Sequence, residues 1–450
     1  MNRRITLVVA GLALVTTLSL VAPCSAATIT VGPGGKFTRM EEALAKAAPG
    51  DEILVSPLPD GKPYEKVALL VTKPRLTIKA AADKPGSPRV ALSGKGFDYS
   101  GRGSVPRAIV QFDKGADGCV VEGFDLSLAH NESHNGAGVR INQANDVTIR
   151  NCRIHHNDMG IMSNGDGTPQ TAVNQSIERC LIDSNGDAAQ PGYNHNLYLG
   201  GTSVRLVACE VHSSVTGHNV KSRAHRTMVL YSYIHDSANR EFDLVDAKGD
   251  TTAAESHAWL VGNVIVKAAK CTGNGGVIHF GQDGGNEHDG TLTLAHNTIV
   301  TPYTSPVVAL SAAKAKVVLL NNIVWDAGTN RTGQKLVDLG KSPREAVSGS
   351  CNWLAAGFAP EAPALPLTKT SIMKAGAAAP FTDAAKGDYR LVRAEQSIVD
   401  SGAALPPELL KLVAIGNTLC QYKAPLSLEP RTSHGKNPDL GAYEFVPTGK

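Results

Sequence analysis

The central part of the chain repeats itself. A β-rich run whose middle is Cys, Ser or Asn followed by an apolar residue occurs as Val147-Thr-Ile-Arg-Asn-Cys152-Arg-Ile, Ile177-Glu-Arg-Cys180-Leu-Ile and Val204-Arg-Leu-Val-Ala-Cys209-Glu-Val. It continues as Met228-Val-Leu-Tyr-Ser232-Tyr-Ile, Trp259-Leu-Val-Gly-Asn263-Val-Ile, Leu292-Thr-Leu-Ala-His-Asn297-Thr-Ile and Val317-Val-Leu-Leu-Asn-Asn322-Ile. The marked positions lie 28, 29, 23, 31, 34 and 25 residues apart, and a second short strand falls between each adjacent pair, as at Asn196-Leu-Tyr-Leu and Asn219-Val-Lys-Ser. A period in the twenties, with at least two short strands per period and loops of variable length, describes a solenoid of β coils. The L-x-x-L-x-L frame of leucine-rich repeats is missing, and a propeller blade needs about 40 residues. The expected fold is therefore all-β, a right-handed parallel β-helix whose coils stack about 4.8 Å apart.

Composition fits narrow coils and tight turns. The chain has 45 glycines among 450 residues but only 5% aromatics. Stacking the coils places Cys152, Cys180 and Cys209 in one interior column that continues as Ser232, Asn263, Asn297 and Asn322, which predicts packed free thiols rather than disulfides or a metal site. Towards the N-terminus, Phe37, Met40, Ala43, Leu44 and Ala47 recur at helical spacing and predict a short amphipathic helix over the open end of the solenoid. A Pro- and Ala-rich stretch after Gly357 marks a boundary, so 27–355 is expected to form the β-helix and 356–450 a C-terminal cap or extension.

The extreme N-terminus carries Arg3 and Arg4, then an apolar run from Ile5 to Ala22, then Pro23-Cys24-Ser25-Ala26-Ala27. That order reads as a signal peptide over 1–26 and predicts a secreted or periplasmic protein; lipoprotein anchoring at Cys24 is the alternative, disfavoured by Pro23. Of 44 basic and 41 acidic residues, two basic ones fall in this segment, so the remaining chain is near neutral and offers no charge argument for nucleic acid. Beyond the signal segment no apolar stretch approaches a membrane span, and the expected state is a monomer.

The opening Gly34-Gly-Lys-Phe-x-x-Met-Glu-Glu-Ala-Leu and Pro49-Gly-Asp-x-Ile resemble the start of pectate-lyase-like right-handed parallel β-helix repeat proteins. The closing Asp388-Tyr-Arg-Leu and Asp439-Leu-Gly-Ala-Tyr-Glu resemble the tail of exported bacterial β-helix proteins. The resemblance spans nearly all of the mature chain and implies the fold. It leaves the reaction open, because lyases, hydrolases, epimerases and adhesins share this architecture.

Candidate chemistry gathers in the central coils, where thirteen of the fourteen histidines lie between His130 and His296. Strand alternation predicts an outward column of Arg140, Met162, Tyr198, Lys221, Asp243 and His279, flanked by Asn196, Asn219, Glu241 and Arg223. Two phrases, Asn194-His-Asn-Leu-Tyr198 and Gly217-His-Asn-Val-Lys-Ser-Arg223, place His195 and His218 one coil apart beside this column. Long loops at Asn164–Thr171, Asp187–Asn194, Ala247–Glu255 and Gly281–Gly290 abut the same strand and are expected to wall a groove for an extended polymer.

Cleavage of a uronate polymer by β-elimination needs a base for the C5 proton, a cation for the carboxylate and a proton donor for the leaving oxygen. Lys221 beside Arg223 is the expected base, Arg223 the carboxylate clamp, Tyr198 or His279 the donor, and Asp243 completes the catalytic set. Arg140, His195, Asn196, His218, Asn219 and Glu241 are the expected substrate-binding residues, for an acidic polysaccharide. Asn-Val-Lys221-Ser also resembles the strand that carries the catalytic lysine in chondroitinase-B- and alginate-lyase-like enzymes. That resemblance implies calcium, yet the family's acidic calcium ligands correspond here to Asn196 and Asn219; the Gln282–Asp289 loop is the other calcium candidate. Three alternatives stay open: a glycoside hydrolase using Glu241, Asp243 and Asp246; a uronan C5-epimerase using Tyr198 and a histidine; and a non-catalytic carbohydrate-binding protein.

Overall fold

The computed structural model describes residues 26–81, 89–246, 256–283, 289–359, 364–374, 376–392 and 397–447. Residues 1–25 of the expected signal peptide, Cys24 among them, the 247–255 loop and residues 284–288 of the candidate calcium loop lie outside the described residues.

Each coil contributes to three sheets. In one coil Thr148–Arg150 joins the first sheet, Arg153–His155 the second and Met159–Asn164 the third. Among the described residues these sheets hold 13, 12 and 10 strands, and every neighbouring pair within them is parallel. The repeat phrase is therefore two strands and not one: it bends at its Cys, Ser or Asn. The sequence conceals the bend because both halves are β-branched and apolar.

Register is set by three inward columns. Ile149, Ile177, Leu206, Val229, Leu260, Leu294 and Leu319 stack in the first sheet. Ile154, Ile182, Val211, Ile234, Ile265, Ile299 and Val324 stack in the second, and Val110, Val139, Ile161, Leu197, Val220, Phe242, Ile278 and Val308 in the third. All are buried. A slip of one residue in any coil would turn its apolar set to solvent, at about 1.5–3 kcal/mol per side chain.

The corner between the first and second sheets has a repeated backbone solution. Asn151, Arg179, Ala208, Tyr231, His296, Asn321 and Cys351 hold φ between 48° and 57°, with Gly262 at 68°. Left-handed backbone at a non-glycine residue is unfavourable, so each corner needs compensation. It comes from the next residue. Asn263 donates through Nδ2 to Asn297 Oδ1 at 3.1 Å, Asn297 to Asn322 at 3.0 Å and Asn322 to Asn352 at 3.0 Å, with Cys152, Cys180, Cys209 and Ser232 in the coils before them. Each of these asparagine oxygens also accepts the backbone N–H of the residue at the same position in the preceding coil: Asn263 Oδ1 from Ser232, Asn297 Oδ1 from Asn263, Asn322 Oδ1 from Asn297 and Asn352 Oδ1 from Asn322. All seven described cysteines are free. Cys119 stands apart from the column, its thiol donating to the Lys73 carbonyl.

At the N-terminal end the helix Met40–Lys46 buries Met40 and Ala43 against the first coils, and Glu41 accepts the Ala68 N–H. At the other end, strands Leu367–Thr368 and Ser371–Ile372 still extend the first and second sheets, so the coils run past 355. Beyond these strands, much of the described C-terminal region lies against the flank of the solenoid. It folds back along the outside: Leu405, Leu409 and Val413 pack on Val207, Leu230 and Val261, while Leu440 and Ala442 pack near Val264, Val300 and Ile323. Asn321 exchanges hydrogen bonds with the Ala403 backbone, and Arg431 and Glu444 form a buried ion pair. No described helix is long and apolar enough to cross a membrane.

The asparagine ladder makes a direct prediction. Replacing Asn297 with Ala strips partners from the Asn263 N–H and the Leu260 carbonyl inside the coil. A loss of about 2–4 kcal/mol is expected in urea unfolding; a loss within error of zero would mean the ladder is ornamental.

Candidate active site

The third sheet presents the outward column in the register expected from alternation. Arg140 pairs with Met162, Met162 with Tyr198, Tyr198 with Lys221, Lys221 with Asp243 and Asp243 with His279. Because the strands are parallel and in register, side chains from residues far apart in sequence are held one strand spacing apart.

The Asp243 carboxylate is the centre of the cluster. Its Oδ1 lies 2.8 Å from His279 Nδ1 and accepts from Arg240 at 3.1 Å, while Oδ2 accepts from Lys221 Nζ at 2.7 Å and lies 3.5 Å from His218 Nε2. Burial alone would raise this carboxyl. The His279 hydrogen bond, the charge of Lys221 and, once acid protonates it, the charge of His218 outweigh burial and hold Asp243 far below the usual carboxylate range. His279 is fixed at its other nitrogen by Ser311 Oγ, 2.7 Å away, and that oxygen also accepts the Gln282 N–H.

A second carboxylate covers the cations. Asp283 Oδ2 accepts from Lys221 Nζ and from Arg223 Nη2, both at 2.7 Å. The Lys221 and Arg223 side chains are only 10% and 15% exposed, whereas that of Asp283 is 42% exposed. Two nearly buried cations thus share one oxygen at the surface of the site, so Lys221 and Arg223 do not face each other bare as the sequence suggested. The hydrogen bond from Lys221, then the charges of Lys221 and Arg223, lower Asp283. Arg223 Nε donates to Tyr198 Oη at 3.0 Å, which leaves the phenol its own proton to give.

His195 and His218 lie behind this cluster as a stacked pair, ring centroids 5.0 Å apart at 12°. Each Nδ1 accepts a backbone N–H, from His218 at 3.0 Å and from Arg240 at 3.2 Å respectively, which fixes both as the Nε2–H tautomer. Burial is the main cause that lowers both rings, His218 to about 4 and His195 well below its ordinary value. Gly217 permits the stack: a Cβ there would sit 1.8 Å from the Asn194 carbonyl oxygen and 2.3 Å from His195 Nδ1.

Three expected substrate-binding residues are elsewhere. Asn196, Asn219 and Glu241 are fully buried inside the corner between the second and third sheets. They form a second polar ladder: Asn157 donates to Asn185, Asn185 to Asn196, Asn196 to Asn219, and Asn219 to Glu241 Oε2 at 2.6 Å. Lys267 Nζ, also fully buried, lies 3.7 Å from Glu241 Oε1. Burial pushes the Glu241 carboxyl up, to about 7, against the charge of Lys267. Strict alternation fails here because the chain turns a corner just before each third-sheet strand, so the residue before the inward apolar one also faces in. With Glu241 inside the coil and Asp243 outside, the two do not flank a common bond, which removes the geometric basis for pairing them as hydrolase acid and base. Asp246 accepts from Ser256 Oγ, and its carbonyl faces Arg223 at 3.5 Å. Arg140 donates to Asn164 and stands three strands from Lys221, outside the cluster.

Sequence reasoning missed Asp283, Arg240 and Ser311. Asp283 follows directly on the strand Ile278–Gln282, within the loop read as a calcium candidate; its carboxylate is engaged with Lys221 and Arg223. Arg240 carried a usable signal, three residues before Asp243 and just ahead of the strand Phe242–Asp246.

No family model matches the sequence, and comparison with curated proteins gives no match. Among solved structures, pectate lyase Pel9A aligns at 14% identity over 94% of this chain and 97% of its own, with a TM-score of 0.54. A tailspike protein of E. coli bacteriophage HK620 aligns at 12% identity over 77% and 72%, with a TM-score of 0.44. A pectin methylesterase from Aspergillus niger aligns at 12% identity over 72% and 90%, with a TM-score of 0.37. The likeness to Pel9A shows the fold, a right-handed parallel β-helix.

The histidine pair predicts acid sensitivity. His195 and His218 are neutral when folded, whereas an unfolded chain takes up these protons near pH 6.5. Their contribution is present above about pH 6.5 and is lost as pH falls towards 4, up to about 3 kcal/mol for His218. Urea titrations across that range should show the loss, and a His218→Gln variant should show less of it.

Proposed function

We propose that the protein acts on an acidic, uronate-containing polysaccharide and cleaves it by β-elimination. The observation that carries this reading is the shared oxygen of Asp283. Lys221 and Arg223 together make a seat for one carboxylate, and the protein's own side chain marks where a uronate carboxylate would bind. The fold supports the reading in that Pel9A, built on the same architecture, is a pectate lyase.

In this mechanism a uronate residue takes the place of Asp283 against Arg223, which holds the substrate carboxylate and stabilises the charge that develops on it. For this step Lys221, positioned by Asp243, first releases a proton to solvent as Asp283 is displaced, and its free amine then removes the C5 proton. The C4–O bond breaks as the C4–C5 double bond forms, and Tyr198 gives its phenolic proton to the departing oxygen. Asp243, gripped by His279 and Arg240, anchors Lys221 and touches no substrate. His195 and His218 sit behind the stripe and support it. The signal-like N-terminus supports export to the periplasm or beyond, where such polymers occur.

The test is turnover of a panel of uronate polymers, followed by the ultraviolet absorbance of the unsaturated product. Lys221→Ala should lower kcat by about 10²–10⁴-fold and Tyr198→Phe by about 10²-fold, with folding intact by circular dichroism. Asp283→Asn should lower KM for the polymer, because the competing carboxylate is gone. Full activity of Lys221→Ala sinks the base assignment. New reducing ends without absorbance would mean hydrolysis, C5 inversion without cleavage would mean epimerisation, and polymer retention without product would mean binding alone.

A further inference from the structure

A separate cluster lies on the outer face of the second sheet. Glu210 and His212 project from the strand Glu210–His212, and His235 is the register partner of His212 one coil further on. One ligand-capable atom from each of Glu210, His212 and His235 lies within 4.8 Å of the other two, the one such group among the described residues. The two imidazoles are stacked, centroids 4.7 Å apart at 16°.

The surroundings orient all three groups towards a common point. His235 Nδ1 lies 2.8 Å from Asp236 Oδ2, so a carboxylate holds the ring by one nitrogen and turns Nε2 towards Glu210, 3.4 Å away. His212 Nδ1 is taken by Ser213 Oγ at 2.9 Å, which leaves its Nε2 as the ligand atom. Tyr422 donates to Glu210 Oε2 at 3.2 Å and leaves Oε1 for the centre of the cluster. A carboxylate that orients a histidine from behind is the usual outer partner of a metal-ligating imidazole.

We propose that Glu210, His212 and His235 bind a divalent transition-metal ion of the zinc class. Two imidazole nitrogens and one carboxylate oxygen suit Zn²⁺, Ni²⁺ or Cu²⁺; Ca²⁺ and Mg²⁺ prefer all-oxygen shells. Bonds of about 2.0–2.2 Å to a tetrahedral ion bring ligand atoms to within about 3.5 Å of each other. The cluster reaches that by small rotations of three partly exposed side chains, with the backbone unmoved. Because Tyr422 belongs to the C-terminal hairpin Cys420–Pro430 and holds Glu210, the ion would join the coils to the segment that folds back over them. Its role is structural: the site lies on a different sheet from Lys221 and Arg223.

The test uses untagged, chelator-treated full-length protein, with Zn²⁺ in calorimetry and Co²⁺ as a spectroscopic probe. Wild type should take up one Zn²⁺ per chain, raise its Tm on binding, and give Co²⁺ the intense visible bands of a four-coordinate site; Ca²⁺ should do none of these. His212→Ala together with His235→Ala should abolish uptake, and Asp236→Asn should weaken it about 10-fold. Polymer turnover should be unchanged in Glu210→Gln, which tests this site independently of the reading of the third sheet. No saturable Zn²⁺ uptake by wild type, or uptake equal in the double variant, overturns the proposal. If the double variant fails to fold, Glu210→Gln decides: unchanged Zn²⁺ affinity there also overturns it.

Discussion

Every coil of this protein has to come back to the same place one strand spacing along the axis. Parallel in-register pairing imposes this, and the corners are where it is hardest, because the chain must turn sharply without water to satisfy its amides. The first corner solves the problem with a left-handed residue followed by a polar side chain that hydrogen-bonds to its own copy in the next coil. The second corner uses a different ladder, Asn157 to Glu241, that ends on a buried lysine. Both ladders hold the strands at the register on which everything else rests.

The candidate site is a by-product of that register. Tyr198, Lys221, Asp243 and His279 come from four successive coils, yet the sheet aligns them as closely as neighbours on a helix. Their charges are nearly balanced: Asp243 and Asp283 meet Lys221, Arg223 and Arg240. In such a cluster the carboxylate of the proposed substrate would compete with Asp283 for Lys221 and Arg223.

How much of this the sequence disclosed depended on periodicity. The Cys/Ser/Asn phrase and its spacing sufficed for the solenoid and for the first ladder, although Asn352 at its end went unseen. Two-residue alternation sufficed for the outward column. It failed one residue earlier, at Asn196, Asn219 and Glu241, because alternation describes a straight strand and these residues sit where the chain bends inward. Asp283 and Ser311 were hidden for another reason: their role depends on which loop end and which coil come together in space, and no local pattern encodes that. The return path of the C-terminal region was hidden in the same way, since Leu409 and Val413 look alike whether they cover an end or a side.

That return path changes how the molecule comes apart. A solenoid is held coil to coil, so its free end can peel away one unit at a time. Here the segment 403–442 is tied to Tyr231, to Thr298 and to Asn321, which belong to different coils. Peeling the last coils therefore means lifting the strap first, and lifting the strap uncovers Val207, Leu230 and Val261 well up the stack. A structure whose contacts are otherwise between neighbours is thereby made to open as a block.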